Sequence, residues 1–114
     1  MLADNIFLKI INKQIPAKIA YEDDRCLAFH DVNPQAPVHV LIIPKQVIRT
    51  HDEVGAGDKD LIGHLHLVAV RLANELGLGA GYRLVINCKD NGGQSVPHLH
   101  MHLMGGRPLA WPPG

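Results

Sequence analysis

Apolar residues recur at helical spacing in two segments of the chain. Residues 58–76 carry the stripe Leu61, Leu65, Val68, Ala69, Leu72 and Leu76, and Gly77 follows directly. This 3.6-residue period with a glycine stop predicts one long helix over 58–76. A shorter stripe of Ile6, Phe7, Ile10 and Ile11 predicts a helix over 5–12, with Asp4 as its N-cap and Pro16 beyond its end.

The other apolar segments are short and rich in β-branched residues, which is typical of strands. We predict strands over 17–21, 25–30, 38–43, 82–88 and 98–104. The acidic residues 22–24 predict a hairpin turn, and the proline-rich residues 33–37 predict a rigid loop before a central strand that Pro44 ends. The fold class is therefore α+β: a five-stranded antiparallel sheet with one long and one short helix.

The long helix carries more apolar residues than one buried face needs. Leu67 and Val70 widen its apolar stripe beyond one face of the helix. A second copy of the chain would cover these residues, so the pattern predicts a homodimer.

Charge and composition exclude several kinds of partner. Eleven Lys and Arg balance eleven Asp and Glu, so the formal net charge is zero and no electrostatic footprint for nucleic acid is present. The longest apolar run, 38–43, is interrupted by His39 and is far shorter than the ~18 residues of a spanning helix. Together with an N-terminus that lacks a basic segment, this predicts a cytoplasmic protein with no membrane or nucleic-acid partner. Cys26 and Cys88 form no C-x-x-C pair, and we expect both to be buried.

The chain has an excess of histidine, and the positions of these residues indicate a candidate site. Three of the eight histidines, His98, His100 and His102, fall in one five-residue window. On a strand they would share one face at a spacing of about 6.6 Å, with Leu99, Met101 and Leu103 on the other face. This pattern predicts a histidine-lined site backed by the core. The histidines outside this window and away from residue 39, namely His30, His51, His64 and His66, are expected to be solvated or capping residues.

A glycine-rich loop precedes the histidines. Gly92-Gly93-Gln94-Ser95 has the composition of a backbone nest that receives an anion such as phosphate, and it lacks the Gly-Lys-Ser/Thr ending of a P-loop.

Two chemistries remain open for these histidines. A pair of them could bind zinc with His39 as a third ligand, which would make a metallohydrolase. Alternatively, His100 could attack phosphorus and form a covalent intermediate. Three histidines on one strand span about 13 Å, and no acidic residue nearby in sequence completes a metal site. The covalent reading is therefore favoured, with no metal and no cofactor.

At these residues the chain resembles a known family. His-Leu-His-Met-His-Leu-Met, Gln35-Ala-Pro-Val-His39, Gly92-Gly-Gln-Ser95 and the ending Trp111-Pro-Pro-Gly114 are similar to the histidine triad (HIT) superfamily, and to its HinT branch of histidine triad nucleotide-binding proteins. The resemblance implies a single HIT domain over residues 1–114 and a homodimer whose sheets join into ten strands. It also implies purine nucleoside phosphoramidase activity, in which P–N bonds of adenosine or guanosine 5′-phosphoramidates are cleaved through a nucleotidyl-histidine.

The resemblance also assigns residues. His100 matches the nucleophile, and His98, His102, His39 and Ser95 match the residues that support it. Purine nucleotides such as AMP and GMP would be bound on the phosphate and ribose side by Asn87, Gly93, Gln94 and Ser95, with Asp31 accepting the ribose hydroxyls. The base pocket would be formed by Ile6, Phe7, Ile10, Phe29, Val32 and Leu41, although ordinary core packing accounts equally well for Ile10 and Leu41.

The sequence departs from the family pattern at a few positions. Pro97 stands where a tyrosine is common, Cys88 and Lys89 vary the loop after Asn87, and the paired cysteines of zinc-binding members are missing. In relatives the C-terminal tail crosses the dimer toward the partner's active site. Two alternatives stay open: a nucleotide-binding adaptor with vestigial catalysis, and a dinucleoside polyphosphate hydrolase, which shares the triad.

Overall fold

Five antiparallel strands form the sheet in the computed structural model, which describes residues 5–114. They are β1 (Ile19–Glu22), β2 (Cys26–His30), β3 (Val38–Pro44), β4 (Tyr82–Val85) and β5 (Met101–Gly105). The strand order is β1-β2-β3-β5-β4, and every neighbouring pair is antiparallel. The predicted five-stranded antiparallel sheet is confirmed.

One short and one long helix accompany the sheet, as predicted. They are α1 (Ile6–Ile11) and α2 (Lys59–Glu75), and two 3-10 turns, His51–Glu53 and Ala56–Asp58, lead into α2. The N-cap of α1 is Asn5, whose side chain accepts a hydrogen bond from the Leu8 amide, whereas the predicted cap Asp4 lies outside the described residues. Gly77 adopts a φ of 76° just after α2, the conformation in which glycine ends helices. Within residues 5–114, neither helix has the length and apolarity to cross a membrane.

The two helices cover opposite faces of the sheet. Alternate strand residues such as Ala28, Val40 and Met101 pack in one cluster with the buried side of α2. Leu27, Phe29, Leu41 and Ile43 pack in a second cluster with Phe7 and Ile10 of α1. Strand β3 supplies both clusters, which explains why consecutive residues 40–43 are all apolar. Because β3 pairs with β5 so that Leu41 lies opposite His102, His102 is placed on the α1 face.

Two strand predictions were wrong in extent. The strand predicted over 98–104 begins at Met101, and the strand predicted over 82–88 ends at Val85. The last pair of their ladder is Val85 with His102. Beyond it the chain turns away: the amide of Leu99 donates to Ile48 O at 2.6 Å and that of His98 to Val96 O at 2.8 Å. His98 and His100 therefore lie on an irregular segment held by the loop after β3. The other strand boundaries agree with the prediction to within two residues.

The turn between β1 and β2 is fixed by Asp23. Its carboxylate accepts hydrogen bonds from the amides of Arg25 and Cys26, from the Tyr21 hydroxyl at 2.8 Å and from His64 Nε2 at 2.6 Å. Burial raises the pKa of this carboxyl, but these hydrogen bonds outweigh burial and hold the pKa well below its usual value. His64 was expected to be solvated or capping, and that was wrong: it ties α2 to the turn. Cys26 is buried as predicted, whereas Cys88 is only half-buried.

Candidate active site

His98 is enclosed completely and hydrogen-bonded at both ring nitrogens. Its Nε2 lies 2.7 Å from the Pro44 carbonyl oxygen, and its Nδ1 lies 2.9 Å from Asn5 Nδ2. A carbonyl oxygen can only accept, so Nε2 carries the proton and Nδ1 accepts from the amide. Burial, with a smaller contribution from nearby His100, lowers the pKa of His98, while its bond to Pro44 opposes the shift. His98 is a neutral, fixed imidazole.

His100 presents a nitrogen lone pair that no residue of 5–114 engages. Its Nδ1 lies 2.7 Å from the backbone oxygen of His98, so this nitrogen donates and carries the proton. Burial lowers the pKa of His100, and the Phe7 ring packs edge-on against it with centroids 4.9 Å apart. The ring is therefore neutral at pH 7, and its Nε2 holds an available electron pair.

His39 and His102 form a second pair beside His100. The amide of Gln35 donates to His39 Nδ1, so the His39 proton sits on Nε2, which lies 2.9 Å from His102 Nδ1. That nitrogen accepts, which leaves the proton of neutral His102 on its Nε2. Burial, followed by the neighbouring His100 and His39, lowers the pKa of His102 to about 4. The ring centroids of His100 and His102 lie 5.1 Å apart, so a ring that offers a lone pair neighbours a ring that offers an N–H donor.

Asp31 brings a carboxylate to this cluster. Its Oδ2 lies 3.5 Å from His39 Nε2, and its Oδ1 accepts from the Asn33 amide at 2.8 Å. Burial lowers the pKa of His39, and Asp31 partly opposes that shift. No acidic residue lies near the histidines in the sequence, and the fold brings Asp31 to them.

Two groups among the described residues have donor atoms close enough to hold a metal ion. Asp31, His39 and His102 form one group, and Asp23, Cys26 and His64 form the other. In the first group, the proton between His39 and His102 occupies the position that an ion would take. In the second, burial raises the pKa of the Cys26 thiol to about 12, so this residue offers a thiol rather than the thiolate that metals bind.

The glycine loop is shaped by Gln94. The buried side chain of Gln94 donates to Arg49 O at 2.7 Å and Val96 O at 2.9 Å, and its oxygen accepts from the Lys89 amide. A Cβ on Gly92 would lie 2.4 Å from Cys88 O, and Gly93 has a φ of 79°, so both positions require glycine.

The N–H groups of this loop are used differently from those of the predicted anion nest. The amides of Gly93 and Gln94 donate to Asp90 O and Lys89 O, and Asn87 Nδ2 donates to Gly92 O at 2.7 Å. Hydrogen bonds within the turn therefore occupy the Gly93 and Gln94 amides, and binding of an anion by the Gly92–Ser95 loop stays a prediction. Ser95 is exposed and its hydroxyl makes no hydrogen bond within residues 5–114.

The predicted base-pocket residues fall into two groups. Phe7, Ile10, Phe29 and Leu41 are buried in the cluster beneath α1, where packing alone accounts for Ile10 and Leu41. Ile6 is 44% exposed and Val32 is 98% exposed, so these two apolar side chains are open to a ligand or a partner.

Sequence reasoning missed the groups that fix the histidine rings. These are Asn5, the Pro44 carbonyl and the Gln35 amide. A helix-capping signal could have identified Asn5 as an N-cap, but nothing in the sequence indicates its contact with His98, which is 93 residues away.

Comparisons with known proteins agree on one family. The HIT domain family matches residues 12–109. An uncharacterized HIT-like protein of Synechococcus elongatus is 59% identical over 114 residues, with both chains fully covered. The crystal structure of a HIT family hydrolase from Legionella pneumophila matches with a TM-score of 0.96 and 47% identity, covering 97% of this chain and 100% of that one. A histidine triad nucleotide-binding protein from Candida albicans matches with a TM-score of 0.82 and 30% identity, covering 96% and 83%.

Proposed function

The chain belongs to the HIT domain family, and we propose that it is a purine nucleotide-binding hydrolase that cleaves the P–N bond of adenosine and guanosine 5′-phosphoramidates. The observation that carries this proposal is the Nε2 lone pair of buried, neutral His100, which no residue of 5–114 engages, in a ring that neighbours the His102 ring with its Nε2–H. A nucleophile and a hydrogen-bond donor in that arrangement suit attack on a phosphoryl group.

The reaction proceeds in two displacements at phosphorus. His100 Nε2 forms a bond to the phosphorus while the P–N bond breaks, and the departing nitrogen takes the electron pair of that bond and one proton from solvent water. Water then attacks the nucleotidyl-His100, which restores the lone pair and releases the nucleotide and one proton. His102 Nε2–H donates a hydrogen bond to a phosphoryl oxygen in both steps, and His39 keeps His102 in the required tautomer.

The nucleotide is held on the same face of the sheet. Asp31 Oδ2 has its acceptor capacity only partly used, so it can accept the ribose hydroxyls. Asn87, Gly93, Gln94 and Ser95 border the phosphate side, with the Ser95 hydroxyl as the donor that no described residue engages. Ile6 and Val32, whose apolar side chains are exposed, would contact the base together with Phe7.

A homodimer completes this proposal. On α2, Leu67 is 69% exposed and Val70 is 47% exposed, on the side away from the sheet. Strand β4 is an edge strand, so its outer hydrogen-bonding groups can pair with a second copy and extend the sheet to ten strands. A two-fold axis would join these surfaces to themselves.

Turnover of a fluorogenic adenosine 5′-phosphoramidate tests the proposed function. We expect stoichiometric release of AMP and amine. Binding of AMP without release of amine would contradict the hydrolase proposal and favour the nucleotide-binding adaptor. Faster cleavage of diadenosine polyphosphates than of phosphoramidates would instead favour the polyphosphate hydrolase.

Chelation separates the covalent from the metal-dependent chemistry. Exhaustive EDTA treatment followed by removal of the chelator is expected to leave kcat within about twofold, because no proposed step uses an ion. The check is the same assay, run before and after treatment and after addition of zinc. Loss of activity that zinc restores would overturn the proposal and assign a metal to Asp31, His39 and His102.

The C-terminal tail is expected to select the leaving amine. Arg83 Nη2 donates to Ala110 O, and Arg107 donates to Pro108 O and Gln35 O, so the start of the tail is held against the sheet. Trp111 nevertheless stays 83% exposed in the single chain, where a partner subunit could cover it. Deleting residues 110–114 should leave AMP affinity and dimerisation nearly unchanged but alter the relative kcat/KM across phosphoramidates with different amines.

Fluorescence provides an independent check on the tail. Native Trp111 emission should be blue-shifted and should move to the red on unfolding, because docking on the partner removes the indole from water. Equal scaling of all substrates by the deletion, or a fully solvated emission in the native protein, would contradict the role of the tail.

A further inference from the structure

The side chain of Asn5 links the start of α1 to the ring of His98. Its Oδ1 accepts from the Leu8 amide at 3.0 Å, and its Nδ2 lies 2.9 Å from His98 Nδ1. The Leu8 N–H can only donate, so the amide oxygen must face Leu8 and the NH₂ group must face His98. The orientation of Asn5 is therefore set by the helix cap.

This orientation allows only one state of the His98 ring. The amide of Asn5 presents a donor to Nδ1, so a proton on Nδ1 would meet another N–H. At the opposite side of the ring, the Pro44 carbonyl requires a proton on Nε2. Asn5 and Pro44 thus both select the neutral Nε2–H tautomer, in a ring with no exposed surface.

We propose that Asn5 is a positioning residue for the nucleophile: it fixes the tautomer of His98 and, through the backbone of His98, the orientation of His100. The effect on catalysis rests on the proposed phosphoramidase function, whereas the tautomer does not. The His98 carbonyl oxygen is the acceptor for His100 Nδ1–H at 2.7 Å, and that bond leaves His100 Nε2 free to react.

Helix α1 strengthens this link through Phe7. The Phe7 ring packs edge-on against His100, with centroids 4.9 Å apart, and against His98, with centroids 6.4 Å apart. The groups that contact the His98 ring at its nitrogens, the Asn5 amide and the Pro44 carbonyl, are uncharged, and the titratable group that influences it is His100. A change at residue 5 therefore acts on the ring through its hydrogen bond.

Two substitutions separate the hydrogen bond to His98 from the helix cap. Asn5→Asp keeps an oxygen for the Leu8 amide and replaces the donor to His98 with an acceptor. Asn5→Ser keeps a capping oxygen but is too short to reach His98. Asn12→Asp is the matched control, because it makes the same change of charge at the exposed far end of the same helix.

Imidazole ¹⁵N NMR on the full-length protein reads the tautomer directly. The wild type and Asn12→Asp should show His98 with Nδ1 unprotonated. Asn5→Asp should add a proton at Nδ1, because the carboxylate accepts there while Pro44 still holds the proton on Nε2, and Asn5→Ser should give a mixture of tautomers. Protonated Nδ1 in the wild type, or an unchanged His98 signal in Asn5→Asp, would overturn the proposal.

Kinetics test the second half of the inference. We expect kcat for an adenosine phosphoramidate to fall about tenfold in Asn5→Asp, the size expected for one lost hydrogen bond that positions a reacting group. KM and AMP affinity should change less than about twofold, because the nucleotide contacts remain. An unchanged kcat in Asn5→Asp together with a protonated His98 Nδ1 would overturn the positioning role. If the wild type binds AMP but hydrolyses no phosphoramidate, the proposed function fails while the NMR result still decides the tautomer.

Discussion

Replacing His100 with alanine is expected to reduce kcat for adenosine phosphoramidates by roughly 10³-fold or more, because the covalent route disappears. The affinity for AMP should stay within about threefold, since the ribose and base contacts lie on other residues and a positioned donor remains on His102. The substitution also leaves a cavity next to Phe7, so the melting temperature should be measured in parallel. Single-turnover kinetics with isothermal titration of AMP give both quantities.

A matched control distinguishes loss of the nucleophile from general damage. His66→Ala removes a histidine from the exposed side of α2, away from the sheet, and should leave both kcat and AMP affinity unchanged. Trapping of the covalent intermediate tests the same assignment. Acid quench of the wild type during turnover should yield a nucleotidylated protein, and the His100→Ala protein should yield none. Near-normal turnover by His100→Ala would rule out His100 as the nucleophile.

Asp31→Asn is expected to weaken binding of AMP tenfold to about hundredfold, while binding of a 2′,3′-dideoxy analogue changes little. A hydrogen bond to a charged acceptor contributes about 1.5–3 kcal/mol, which corresponds to that range. The asparagine oxygen can still accept from the Asn33 amide, so the turn after β2 is preserved. What changes is Oδ2, which loses its charge and its acceptor role toward the ribose and toward His39.

The comparison of the two ligands isolates the sugar contact. Asp24→Asn is the control, because Asp24 is an exposed carboxylate of the β1–β2 turn and its replacement changes the net charge equally. This control should bind both ligands as the wild type does. Equal losses of affinity for the ribonucleotide and the dideoxy analogue in Asp31→Asn would remove Asp31 from the ribose site.

Local patterns identified the elements of the fold. The spacing of apolar residues located α2 to within one residue at each end. It also placed Leu99, Met101 and Leu103 in the core beneath α2. The same reasoning extended β5 too far, because alternation of side chains continues through 98–100 while the backbone there bonds to Ile48 and not to β4. Backbone pairing depends on distant segments, and side-chain alternation does not report it.

For the glycine loop too, the sequence predicted one property and only the tertiary structure decided another. The composition of the loop indicated a special backbone, and the close approach of Gly92 to Cys88 confirms that glycine is required there. The sequence did not indicate which N–H groups of the loop stay free. That depends on the Gln94 side chain, which donates to Arg49 O and Val96 O, and on the turn, whose hydrogen bonds occupy the Gly93 and Gln94 amides.

By itself, the sequence determined the α+β elements and the group of histidines at 98–102, because each depends on residues near one another in the chain. Only the tertiary structure decided the protonation states that make those histidines chemically different. His98 is set by Asn5 and Pro44, which lie 93 and 54 residues away, and His102 is set by His39, 63 residues away. An imidazole has two equivalent candidates for its proton until a donor or an acceptor reaches one of them, and here that partner arrives only when α1, β3 and β5 pack together.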